Sequence, residues 1–247
     1  MICHHDDTKP IVLVVSCPMH WGIGAHLCNV AWNTRRCINE GYHPKFKITM
    51  PRRSTNVFDE IFDSYTRLLY SYEEGAHYDR DLMVSDEVKD TPMPILKRYD
   101  TNTVVELRKF TSRFNFDDKW NVPLISGKTL GIHYRGTDKY TDYELYPPER
   151  VCDIIPHGYD TVFIATDDEE AFEIIKGRVP NIKYHPHRRT KTFDLGLHHQ
   201  LWAGQFEQSL VDLVTLSQCD HIIMSRSCYA EAAILFSRKK TTWSYYA

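Results

Sequence analysis

Short apolar runs alternate with amphipathic stretches along this chain, and their order predicts an open parallel sheet with crossover helices. IVLVVSC at 11–17 is rich in β-branched residues and has the length of a buried strand. The loop PMHWGIGAH follows. Leu27, Val30, Ala31, Thr34, Cys37 and Ile38 then recur at helical spacing, and Gly41 falls where a glycine closes a helix. Lys45 to Met50 reads as the next strand and completes a β-loop-α-β unit. Asn56 to Tyr72 has a helical pattern with many aromatics. Residues 73–100 are polar, contain Pro92 and Pro94, and read as a loop or insertion. Val104 to Phe110 reads as a short helix.

The second half is plainer. Thr129 to Tyr134 and TVFIAT at 161–166 are strands, and Asp167 to Lys176 is a helix. Acidic residues open that helix and Gly177 closes it. Ile182 to Tyr184 is a short strand, Leu210 to Gln218 a helix, His221 to Met224 a strand and Tyr229 to Phe236 a helix. The alternation implies a second parallel sheet. A boundary near residue 120, around Trp120 to Pro123, gives two α/β halves facing each other.

Composition narrows the function classes. Of 247 residues, 42% are hydrophobic and 26% charged, which suits a packed core in one large or two small domains. A net charge of -3 gives no general attraction to nucleic acid. The run Ile11 to Val15 is too short to span a bilayer and poorly flanked for a secretion signal, so a soluble, cytoplasmic chain is expected. The seven cysteines are scattered without a CxxC pair, which points to reduced, structural thiols. Among thirteen histidines, His185 with His187 and His198 with His199 invite a metal reading. No HExxH motif or suitably spaced carboxylate joins them, so a polar surface loop is expected there.

Ligands of open parallel sheets bind beyond the carboxyl ends of the strands. Four predicted strand ends carry polar groups: WGIGAH, HYRGTDK, ATDD and SRSC. Gly22 and Gly24 suit a tight strand-to-helix turn or a helix N-terminus meeting a phosphate. The third glycine of a dinucleotide fingerprint is replaced by Leu27. His133 and Arg135 alternate with Tyr134 and so point to one side, where a guanidinium can fork onto phosphate oxygens or pair with Asp138. One of Asp167 and Asp168 caps the following helix, leaving the other to accept hydrogen bonds from a sugar or base. Ser225, Ser227 and Cys228 open a helix as caps or anion-facing groups. Cys228 has no His or Asn partner in view that would make it a nucleophile.

In this order, GIHYRGTDK, ATDDEEAFEI and VDLVTLSQCDHIIMSRSCYAEAA resemble the three-motif region of the GT-B fucosyltransferases. That group includes the core α1,6-fucosyltransferases, the nodulation fucosyltransferases and, more distantly, the protein O-fucosyltransferases. WGIGAHLCNVAW resembles their opening glycine loop and helix, while 50–118 matches nothing in the group. The resemblance implies a GT-B fold: two Rossmann-like domains with parallel sheets facing a central cleft, 1–118 on the acceptor side and 119–247 on the donor side. It further implies GDP-fucose as donor, a glycan acceptor, inversion at the sugar carbon and no required metal or cofactor. By position, Arg135 holds the β-phosphate with His133 beside it, and Asp212 takes the guanine edge. Ser227 and Cys228 lie along the diphosphate or ribose, Asp167 and Asp168 contact the donor, and Gly22 and Gly24 give backbone approach from the opposite domain.

Two positions depart from the pattern. The group commonly has a second basic residue after the motif arginine, where this chain has Gly136, so one phosphate contact is either missing or supplied elsewhere, by Arg188 or Arg189. The acidic base follows the motif by a few residues, where Asp142 stands first and Glu144 second. Competing readings are transfer from another nucleotide sugar, a non-catalytic nucleotide- or glycan-binding protein, and a metal-dependent phosphoesterase built on the histidines.

Overall fold

The computed structural model describes residues 9–16, 22–50, 53–84, 101–121, 123–136, 146–191, 204–225 and 227–246. The strands form two sheets, parallel throughout.

The smaller sheet has the order β2-β1-β3, with β1 at Ile11–Ser16, β2 at His43–Ile48 and β3 at Arg80–Val84. Helix α1, Ile23–Asn39, crosses from β1 to β2. Its end matches the expected glycine closure: Gly41 has φ +85° and the Tyr42 amide bonds the Cys37 carbonyl at 2.8 Å. Helices α2, Val57–Ile61, and α3, Ser64–Tyr70, replace the single helix expected over 56–72. Asp63 causes the break. Its side chain caps α3 through the Thr66 amide at 2.8 Å, and a cap residue must leave helical backbone angles. Strand β3 lies inside the stretch expected to be loop. Its charged start, Arg80 and Asp81, hides the strand pattern at a sheet edge.

Helix α4, Thr101–Thr111, and a 3-10 turn at Asp118–Trp120 lead to the larger sheet. That sheet has the order β6-β5-β4-β7-β8. Strand β4 is Thr129–Tyr134, β5 Thr161–Thr166, β6 Ile182–Lys183, β7 His221–Met224 and β8 Thr242–Tyr245. Helix α5, Pro148–Asp153, precedes β5, and α6, Glu169–Arg178, follows it. Helices α7, Gln205–Ser217, and α8, Cys228–Leu235, flank β7. The chain builds outward from β4 on one side and then on the other. The order reverses between β4 and β7, the place where a doubly wound sheet opens a crevice.

Each face of the larger sheet has its own core. Leu130, Ile132, Tyr134, Val162 and Ile164 pack against α5 and α6 through Val151, Phe172 and Ile175. On the other face Phe163, Ala165, Ile222 and Met224 join a cluster that also holds α7, α8, α1, α2, α4 and Val12 and Val14 of β1. The two sheets thus share one apolar layer, with α1 packed directly on α8. An aromatic group closes the seam: Phe236, just after α8, lies 5.7 Å from Phe62, 5.9 Å from Phe114 and 5.8 Å from Phe116 between ring centroids. Arg53 adds a polar clasp, pairing with Glu60 and Glu207 while its guanidinium rests 4.0 Å from the Phe206 ring centre. Among the described residues, no helix is long and apolar enough to cross a membrane.

Candidate active site

The carboxyl edge of the larger sheet gathers the polar groups. His133 and Arg135 come from the end of β4, and His133 sits on the face that packs toward α8. Its ring stacks on Tyr229 at 5.2 Å between centroids. Burial, with help from the Arg135 charge, pushes His133 down to about 3, so its imidazole is neutral at physiological pH. Its Nδ1 is buried and has no hydrogen-bond partner among the described residues.

Arg135 is mostly covered, with 17% of its side chain exposed, and its Nε lies 3.9 Å from Asp167 Oδ2. The two aspartates after β5 divide their roles. Asp168, buried, caps α6 by accepting from the Ala171 amide at 3.0 Å, and Asp167 turns to Arg135. Gly136 lies against Asp168: a Cβ there would sit 2.0 Å from Asp168 Oδ2. This close approach gives a physical reason for glycine where the resemblance expects a second basic residue.

Asp212 reaches the same region from α7. His187 Nδ1 lies 3.2 Å from its Oδ2, while its buried Oδ1 has no partner among the described residues. Convergence is read from Tyr229. Its hydroxyl is pushed well above the ordinary range by burial and by the nearby Asp212 and Asp167 carboxylates, with Arg135 pulling the other way. The Tyr229 hydroxyl donates to the Ser209 carbonyl. Ser225, at the end of β7, is 1% exposed and its Oγ is a third buried polar atom without a partner among the described residues. Ser227 caps α8 by accepting from the Tyr229 amide at 3.2 Å. The Cys228 sulfur faces α1 rather than the strand ends, lying near Cys28 and Glu231.

The smaller sheet contributes a helix start. Gly22 precedes α1 without a side-chain cap, and no acidic residue occupies the first turn, so among the described residues of that turn no carboxylate offsets the helix's positive end. Gly24 brings that end onto α8: a Cβ would stand 2.4 Å from Tyr229 Cα and 2.7 Å from its nitrogen. Only glycine allows two helix backbones this close. His26, held near pH 4 by burial, bonds Ser16 Oγ at 2.9 Å through Nδ1 and ties the first turn of α1 to the end of β1.

The histidine-rich segment differs from the expected surface loop. His185 is buried and bonds Thr215 Oγ1 at 2.9 Å, and it stacks on His187 at 5.3 Å. The Asp212 partner is distant in sequence, which is why spacing did not reveal it. Arg189 rests 3.6 Å from the Phe172 ring centre and donates to the His185 and His187 carbonyls, so its guanidinium is engaged in packing that loop. Arg188 is exposed. Tyr229 is the site residue that sequence reasoning missed, its only signal being adjacency to Cys228, and His187, read there as a metal candidate or part of a surface loop, is instead the partner of Asp212. Asp138, Lys139, Asp142, Glu144, His198 and His199 lie outside the described residues.

No protein-family model matches the chain, and no curated protein matches it. Solved structures do. NodZ α-1,6-fucosyltransferase co-crystallized with GDP superposes with a TM-score of 0.55 at 13% identity, covering 90% of this chain and 91% of that one. A mutant of Arabidopsis thaliana FUT1 in complex with GDP gives 0.56 at 10% identity, covering 97% and 71%. POFUT1 in complex with GDP gives 0.50 at 10% identity, covering 96% and 98%. The chain therefore has a fucosyltransferase-like, Rossmann-type α/β fold.

Proposed function

We propose that the protein is an inverting glycosyltransferase that transfers fucose from GDP-fucose to a glycan acceptor. One observation carries the reading. His133 Nδ1, Asp212 Oδ1 and Ser225 Oγ are three buried polar atoms lacking partners among the described residues; His133 and Ser225 lie at the ends of β4 and β7, which flank the reversal point, and Asp212 comes from α7. Buried polar groups are nearly always bonded, and a polar ligand in that crevice supplies what is missing. Asp212 Oδ1 suits the N–H edge of guanine, and His133 and Ser225 suit the ribose or diphosphate. Similar folds crystallised with GDP favour the same donor.

In this reading residues 1–118 hold the acceptor and residues 119–247 the donor. The acceptor hydroxyl oxygen bonds the anomeric carbon from the face opposite the leaving group. The carbon–oxygen bond to the β-phosphate breaks, and the hydroxyl proton passes to one carboxylate, for which Asp142 is the first candidate and Glu144 the alternative. Arg135 and the N-terminal ends of α1 and α8, with Gly22, Gly24, Ser227 and the Cys228 amide, stabilise the departing diphosphate. Asp167 orients Arg135, and Asp168 holds the α6 end beside it. That arrangement needs no metal at the diphosphate.

Calorimetry against GDP, UDP and ADP tests the assignment. GDP is expected to bind best, and Asp212→Asn to erase at least about tenfold of that preference. Equal affinity for the three nucleotides overturns it. Release of GDP from GDP-fucose in the presence of glycan acceptors separates transfer from binding alone.

A further inference from the structure

Gly24 and Cys28 lie one turn apart on α1, and Cys228 and Glu231 lie three residues apart on α8, so each pair shares a helix face. The two faces meet. Beyond the contact of Gly24 with the Tyr229 backbone, Cys28 Sγ, Cys228 Sγ and a Glu231 carboxylate oxygen all lie within 4.8 Å of one another. Cys28 Sγ also donates to the Cys228 carbonyl at 3.3 Å. Cys28 is 4% exposed and Glu231 2%, and neither cysteine is in a disulfide. We propose that Cys28, Cys228 and Glu231 form a binding site for a thiophilic divalent cation of the zinc class, which clasps α1 to α8 where the two sheets meet.

The donor set selects the ion. Two sulfurs and one carboxylate suit zinc, whereas magnesium and calcium take oxygen ligands. Zinc–sulfur bonds of about 2.3 Å place tetrahedral donors roughly 3.8 Å apart, so the three groups need to close by no more than about 1 Å. Three groups that each become anionic, Cys28 and Glu231 buried and Cys228 partly so, crowd together, an arrangement that proteins relieve with protons or a cation. The Cys28 thiol is pushed well up by its hydrogen bond with Cys228, by burial, and by the charges of Cys228 and Glu231. A cation reverses that repulsion and deprotonates the thiols outright. The same elevated thiol disfavours a redox disulfide, because exchange proceeds through the thiolate. The clasp fixes the α8 N-terminus against α1 and leaves the Cys228 backbone amide toward the strand ends. It is independent of which nucleotide sugar the crevice accepts.

Zinc titration of the reduced full-length chain, followed by competition with a chromophoric chelator, tests the site. Cobalt(II) serves as the spectroscopic probe. One zinc per chain, a thiolate-to-cobalt charge-transfer band and a raised melting temperature are expected. Cys28→Ser and Glu231→Gln are expected to weaken binding by about tenfold or more, and Cys28→Ser to diminish the band. Cys37→Ser, remote from the cluster, is expected to leave both unchanged. Circular dichroism checks that each variant folds. If Glu231→Gln folds and Cys28→Ser does not, the titration of Glu231→Gln decides. Zinc binding equal in the parent and the folded variants assigns the metal to the histidines and overturns the proposal. Absence of the thiolate band in the parent, or a Cys28–Cys228 disulfide in the protein as isolated, does the same.

Discussion

In the five-stranded sheet, β4 and β5 are buried at every position, whereas β1, central in the three-stranded sheet, leaves Ile11 and Val15 half-exposed. Coverage explains the difference. The larger sheet carries α5 and α6 on one face and the shared layer on the other, so its strand ends are held rigidly from both sides. The smaller sheet depends on the shared layer. What it sends toward the crevice is mainly backbone: the bare start of α1, brought in by Gly22 and Gly24. Side-chain chemistry therefore concentrates in one region, and positioning in the other. Changes at the larger sheet's edge are expected to affect turnover more than stability, and changes at the seam to affect both.

The sharpest test is Arg135→Ala. Loss of a preorganised cation at a developing diphosphate is expected to lower turnover by about 100-fold or more, with the melting temperature little changed. Lys45→Met, which removes a buried cation of the smaller sheet bonded to Glu73 and the Leu68 carbonyl, is expected to leave turnover within about threefold. Equal losses in the two variants, measured as GDP released from GDP-fucose, would break the comparison.

Next in size is Gly24→Ala. The obstacle is the Tyr229 backbone at 2.4 Å, not a side chain that can rotate aside. A loss of about 3 kcal/mol in urea denaturation is expected, together with weaker GDP binding, because both helix starts must separate. Unchanged stability would mean that the sheets do not meet there.

His133 links pH to stability in the larger sheet, as the buried His26 does at the start of α1. Burial and Arg135 hold His133 near 3 in the folded protein, whereas the unfolded chain takes up the proton near 6.5. Its depressed value favours the folded state fully above pH 6.5, and that advantage is lost as pH falls toward 3. Between pH 6.5 and 4.5 the loss attributable to this residue is about 2 kcal/mol. Comparing the acid dependence of unfolding in the parent and in His133→Gln isolates the contribution. Parallel curves would mean that the imidazole is not buried neutral.

The same contrast governs what could be read from sequence. Strands β4, β5 and β7 were legible to the residue, and α6 to within two residues at each end, because fully buried strands are continuous apolar runs and capping aspartates announce helices. The edge strands β3 and β8 were not, since Arg80, Asp81 and the mostly exposed Thr242 to Tyr245 carry no such pattern. In the site, residues at strand ends could be listed from order alone. Contacts across the chain could not: His187 with Asp212, Tyr229 beneath His133, and Gly24 against Tyr229 are set by how the helices pack.

Gly136→Ala is the smallest expected effect, and it asks what the departure at this position means. The added methyl would fall 2.0 Å from Asp168 Oδ2 and 2.9 Å from its Cβ, so the aspartate must move. Asp168 is 1% exposed, leaving it little room, and moving it strains the bond to the Ala171 amide that starts α6. A loss of about 1 kcal/mol is expected, the usual size of a helix cap. Asp168→Asn provides the control, since asparagine caps comparably while removing the charge. If Gly136→Ala lowers both stability and GDP affinity while Asp168→Asn lowers affinity alone, Asp168 joins the helix start to the donor site. If Gly136→Ala changes neither, the close approach is absent, and a basic residue could have stood at 136 without cost.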